Sequence, residues 1–147
     1  FYGGCTTKIA LFFCYLMKFV GKGKHLFPSI KQEYQCRCIQ VTEQNRKQVE
    51  LLLQGKIIDT PGHTADSISL LLNDGSLFCG DAAMNGLPSL HRITIWVEDK
   101  TAFLKSWETI IALRPNLIYP GHGKPFEYED LKINLKRAKN MELLPIQ

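Results

Sequence analysis

At 147 residues, with 45% hydrophobic and 22% charged side chains, the chain has the size and composition of one soluble globular domain. Its formal net charge of +4 is spread along the chain, and the densest basic run, Lys132 to Lys139, has helical spacing and reads as a solvated helix face rather than a nucleic-acid surface. Five cysteines (Cys5, Cys14, Cys36, Cys38 and Cys79) lack zinc-finger spacing and are expected to be free thiols in a reducing cytoplasm, with a redox or metal role for Cys36 and Cys38 as the alternative.

Because the chain begins with Phe1 rather than Met, it is expected to continue upstream. Ile9 to Val20 is apolar, but Lys18 interrupts it and it falls short of the ~20 residues that a bilayer span needs. No small-residue cleavage site follows, so the segment reads as a buried helix and neither a membrane partner nor export is implied. Gly21 to Lys24 forms a turn ahead of Pro28, Tyr34 to Val41 alternates loosely as a strand, and Glu43 to Gln54 is a candidate helix.

From Lys56 the pattern sharpens. Lys56 to Thr60 is a strand that stops at Pro61-Gly62. Asp66 to Leu72 alternates, with Ile68, Leu70 and Leu72 on one face, and Asn73-Asp74-Gly75 is a hairpin turn. Leu77 to Gly80 returns and delivers Asp81 at its end. Asp99 is placed to cap a helix whose stripe is Phe103, Leu104, Trp107, Ile110 and Ile111, closed by Arg114-Pro115. Leu117 to Tyr119 is a short strand running into Pro120-Gly121-His122-Gly123, and a last amphipathic helix, Glu129 to Leu143, aligns Leu131, Leu135 and Ala138. The sum is an α/β fold in which polar residues sit where strands stop.

Three of those strand ends carry a metal-capable side chain beside glycine: His63 after Pro61-Gly62, Asp81 after Gly80, and His122 after Gly121. Glycine lets the backbone turn sharply and approach a ligand, while the strand end holds the side chain rigidly at a cleft. Two imidazoles and a carboxylate are a ligand set for zinc or iron. Singly, each has a plain structural reading as a turn residue. Together, in this order and with a hairpin between the first two, they are far more specific.

The runs Asp59-Thr60-Pro61-Gly62-His63-Thr64-Ala65-Asp66-Ser67-Ile68-Ser69, Leu77-Phe78-Cys79-Gly80-Asp81-Ala82 and Ile118-Tyr119-Pro120-Gly121-His122-Gly123-Lys124-Pro125 resemble the metallo-β-lactamase superfamily, and within it the glyoxalase II-like hydrolases. The resemblance covers residues 55–126 well and the remainder loosely. It implies that residues 1–147 are the C-terminal half of the family's αββα sandwich. It implies also that His63 completes a first metal site, that Asp81 bridges two divalent ions (zinc, with iron or manganese as alternatives), and that His122 serves the second. A metal-bound hydroxide would then attack an ester, thioester, amide or phosphodiester in a small-molecule substrate. Asp59 and Asp66, flanking the His63 loop, are candidates to accept a hydrogen bond from a ligating imidazole. His91 and Lys124 are secondary candidates, with surface roles the plainer reading.

The family's His-x-His-x-Asp-His motif, however, has no counterpart in residues 1–55, where His25 is the only histidine. A catalytic zinc takes three protein ligands and a water, so this stretch alone is expected to bind metal weakly or not at all, as a truncated and inactive part of a hydrolase. Two rival readings are a metal-poor scaffold or partner subunit and a redox member of the same fold.

Overall fold

In the computed structural model, which describes residues 3–20 and 39–145, the long elements follow the hydrophobic pattern. Strand β1 is Gly4–Cys5 and helix α1 Lys8–Val20, with α2 at Arg46–Leu53. Strands β2 (Gly55–Asp59), β3 (Ile68–Leu72) and β4 (Ser76–Gly80) come next, then β5 (Trp96–Val97), helix α3 (Lys100–Leu113), β6 (Leu117–Pro120) and helix α4 (Tyr128–Asn140). The architecture is α/β, as expected. Among the described residues no helix is long and apolar enough to cross a membrane.

The main sheet has the order β2-β3-β4-β6, and β1 pairs separately with β5. The first two pairings are antiparallel and β4 with β6 is parallel. The hairpin expected at Asn73-Asp74-Gly75 joins β3 to β4: Gly75 adopts φ +88°, and Asp74 Oδ1 accepts from the Ser76 amide at 2.8 Å. A parallel pair cannot be closed by a tight turn, so the chain crosses over through β5 and α3 before β6. Asp99 caps α3 as expected, accepting from the Thr101 and Ala102 amides at 2.8 and 3.0 Å.

Helices α3 and α4 cover one face of the sheet. Phe103, Trp107 and Ile110 from α3, and Leu131 and Ala138 from α4, close a dry core with Leu77, Cys79 and Ile118 of the central strands. The stripe of Ile68, Leu70 and Leu72 lies on the opposite face, because Ser69 is the buried residue of β3 and Leu71 packs on the core. That outer face is apolar: Ile68 is 51% and Phe78 45% exposed, and the Phe78 ring stacks on Tyr119 at 4.9 Å. The molecule thus shows one helical layer on one sheet, with a second apolar sheet face turned outward.

One expectation is corrected, and one lies largely outside the described residues. The apolar segment at Ile9 to Val20 is helical but not a buried helix. It meets the domain near β1, Ala10 is its one buried residue, and Phe12 and Phe19 are 69% and 84% exposed. The strand expected over Tyr34 to Val41 lies outside the described residues up to position 38, and residues 39–41 form no strand.

The two faces of β4 give a direct test. Leu77→Ala should destabilise by about 3 kcal/mol, through lost transfer energy and a cavity, whereas Phe78→Ala should cost about 1 kcal/mol, the scale of its ring pair. Urea midpoints of the two variants measure the difference, and equal losses would mean that the outer face is as tightly packed as the inner one.

Candidate metal site

Since β3 runs against both β2 and β4, and β6 runs with β4, strands β2, β4 and β6 all point the same way. Their carboxyl ends therefore open at one edge of the sheet, and His63, Asp81 and His122 follow those three ends. Residues scattered over 60 positions of sequence are gathered by strand direction alone.

Each loop is locked separately. Gly62 adopts φ +133° and lies so close to α3 that a Cβ there would meet Phe103 Cα at 2.3 Å. Its carbonyl accepts from the Glu98 and Asp99 amides at 2.8 and 3.1 Å, and Ser106 Oγ donates to the Pro61 carbonyl at 2.7 Å. After Asp81, the Trp107 indole donates to the buried Ala82 carbonyl at 2.8 Å. The Gly121 amide donates to the Gly80 carbonyl at 2.7 Å, and a Cβ on Gly121 would stand 2.8 Å from Asp81 Oδ1. Only glycine lets the second and third loops approach this closely.

The three side chains meet at the carboxylate. Asp81 Oδ2 lies 3.7 Å from His63 Nε2 and 3.6 Å from His122 Nε2. Both separations exceed a hydrogen bond. They are close to the spacing of two donors on one cation, since zinc bonds of about 2.1 Å at a tetrahedral angle place donor atoms about 3.4 Å apart. His63 Nδ1 stands 2.9 Å from the Trp96 carbonyl, which can only accept, so the ring proton is on Nδ1 and a neutral His63 turns its Nε2 lone pair toward Asp81. Asp81 Oδ1 is buried without a hydrogen-bond partner. An orphaned carboxylate oxygen beside an oriented imidazole fits a cation in its donor chemistry. These pairwise approaches do not amount to a complete cage: among the described residues, no group of three or more His, Cys, Asp or Glu side chains could hold a metal ion by itself. Burial pushes the neighbouring Cys79 thiol up to about 12, so it stays protonated.

The other candidates lie elsewhere. Asp59 is 65% exposed at its side chain and binds Arg46 Nη2 at 2.8 Å, not an imidazole. Arg46 also donates to the Ile57 carbonyl and Glu50 accepts from the Ile57 amide, so Asp59 helps α2 cover the free edge of β2. Asp66 is exposed and away from both imidazoles' hydrogen bonds. The partner expected of an aspartate is instead the Trp96 main-chain carbonyl, for which a sequence carries no signal. His91 sits 2.7 Å from Arg137 Nη1 on the surface, and the exposed Lys124 contributes its backbone.

Asn85 is a positioning residue that the sequence reading missed. Its amide donates to the His122 carbonyl at 2.9 Å and its side chain to the Lys124 carbonyl at 2.8 Å. Arg92, which contacts Asn85 Oδ1, is itself held by Asp130 at 2.8 Å. Helix α4 therefore reaches the His122 loop through Arg92 and Asn85.

The known relatives bear out the resemblance to the metallo-β-lactamase superfamily drawn from the motifs. No family model matches the chain. It is 38% identical over 93 residues to the beta-lactamase-like protein 2 homolog of Drosophila melanogaster, and 35% identical over 96 residues to that of Caenorhabditis elegans. These matches take in 60% and 62% of the chain, which spans 30% of the length of either relative. Among solved structures, an archaeal metallo-beta-lactamase superfamily protein from Sulfolobus tokodaii is similar at 23% identity and a TM-score of 0.48, over 63% of this chain and 36% of that one.

Asn85→Ala should free the His122 loop and leave the core intact. Deuterium uptake over residues 119–126 should rise several-fold, as expected when a hydrogen bond worth about 1 kcal/mol is lost, while β4 keeps its protection. Unchanged uptake in that peptide would show that Asn85 does not hold the loop.

Proposed function

We propose that the chain contributes His63, Asp81 and His122 to a two-metal hydrolytic centre, in a cytoplasmic glyoxalase II-like member of the metallo-β-lactamase superfamily. The observation that supports this best is the placement of Asp81 Oδ2 within 3.7 Å of both imidazoles, with the His63 tautomer set by Trp96. In this reading His63 and Asp81 hold one ion, Asp81 and His122 the other, and the remaining ligands come from outside these residues. The ions are zinc, with iron and manganese as alternatives. When bound they lower the pKa of water and offset developing negative charge, for attack on an ester, thioester, amide or phosphodiester.

The chain's own residues hold and orient. Trp96 keeps Nδ1 of His63 protonated, so that Nε2 is free to ligate. Asp81 would supply negative charge shared by two cations, offsetting their mutual repulsion. A partner subunit without catalysis is the second reading, favoured by the outward apolar sheet face around Ile68 and Phe78.

By itself the chain should bind zinc weakly, and retention of stoichiometric zinc after dialysis against a chelator would contradict the division of ligands. In a form of the chain supplied with a full ligand set, Asp81→Ala should empty both sites and abolish hydrolysis, whereas His122→Ala should mainly empty one. Metals per chain and turnover of an ester, thioester and phosphodiester panel test this. Normal turnover with both metals in Asp81→Ala would overturn the bridging role. Metal binding without turnover on any substrate would favour the partner subunit.

A further inference from the structure

Away from the metal site, strand β1 and helix α1 bring two sulfurs into contact: Cys5 Sγ lies 3.5 Å from Cys14 Sγ, and neither thiol is in a disulfide. Cys5 is fully buried, while Cys14 is partly open to solvent. One thiol is therefore reachable and the second waits directly behind it, which is the arrangement that thiol–disulfide exchange needs: an entry sulfur and a resolving sulfur. The third described cysteine, Cys79, is buried and its sulfur donates to the main-chain carbonyls of Gly80 and Ala83; among the described residues no second sulfur is bonded to it.

We propose that Cys5 and Cys14 form a two-electron redox site that takes a low-molecular-weight disulfide, such as glutathione disulfide, as co-substrate. The Cys14 thiolate attacks one sulfur of that disulfide, breaking its S–S bond, forming a mixed disulfide at Cys14 and releasing one thiolate. Cys5 then attacks Cys14 Sγ, forming the Cys5–Cys14 bond and breaking the mixed disulfide, and its proton passes to the departing small thiolate, which leaves as a thiol. Both cysteines are oxidised and the co-substrate is reduced to two thiols. The bond requires the sulfurs to close from 3.5 Å to about 2.05 Å. The bond would fasten α1 to β1, where Cys5 stands in register with Trp96, the residue whose carbonyl fixes His63.

The sequence lends itself to the test, since trypsin cuts after Lys8 and Lys18 and leaves Cys5 and Cys14 in different peptides. The reduced native chain, incubated with glutathione disulfide and then alkylated, should yield peptide 1–8 linked to peptide 9–18, with Cys79 free. Cys5→Ser should stop at a stable glutathione adduct on Cys14, and Cys14→Ser should leave Cys5 unmodified. An adduct on Cys14 that persists in the wild type, a link from Cys14 to Cys36 or Cys38, or no reaction at Cys14 at all would each overturn the proposal.

Discussion

The parallel pairing of β4 with β6 is the constraint on which the site depends. An antiparallel neighbour would have sent its loop to the far end of the sheet and left Asp81 without His122. Because the pair is parallel, the chain must travel the length of the sheet between them, and it does so through α3, which lays Phe103, Trp107 and Ile110 over the inner face. The core and the site are therefore products of one crossover. Its buried side chains hold the strands, and the strands bring His63, Asp81 and His122 together.

Packing around the loops shows the same economy of parts. Trp107 fills the core with its ring and secures the turn after Asp81 with its indole N–H. Gly62 gives its carbonyl to the start of α3, so the loop bearing His63 and the cap of the helix are one structure. On the other side, α4 anchors Arg92 and through it Asn85 and the His122 loop. The loops bearing His63, Asp81 and His122 are thus each fixed by hydrogen bonds to a helix or to a neighbouring loop.

The outward apolar face is the opposite case. Ile68, Phe78 and Tyr119 form a surface with the composition of an interior, on a sheet whose other face is already dry. Such exposure raises the free energy of an isolated domain and lowers it on contact with another apolar layer. Around β2 the free edge is treated differently: Arg46 and Glu50 of α2 occupy its backbone groups, so the sheet is left open across its face and closed along that edge.

Much of this was legible in the residues alone. Strand ends at Thr60, Gly80 and Pro120, the turn at Asn73-Asp74-Gly75 and the cap at Asp99 follow from local chemistry, and the motif set singled out His63, Asp81 and His122 without any coordinates. Local chemistry did not reach the partners of these residues. Asp59 looked like a neighbour of His63 in sequence, yet the alternation of a strand and the pull of Arg46 turn it to the sheet edge. His63 donates its hydrogen bond to a main-chain carbonyl 33 residues away, a group every residue possesses and no sequence marks. Asn85 and the Cys5–Cys14 contact were hidden for the same reason: hydrogen bonds and sulfur contacts depend on distances between segments, and only the folded chain sets those. The amino-acid sequence by itself determined which side chains are candidates for the chemistry and where the strands stop; tertiary structure decided what orients each of them, because orientation is a property of packing across the sheet.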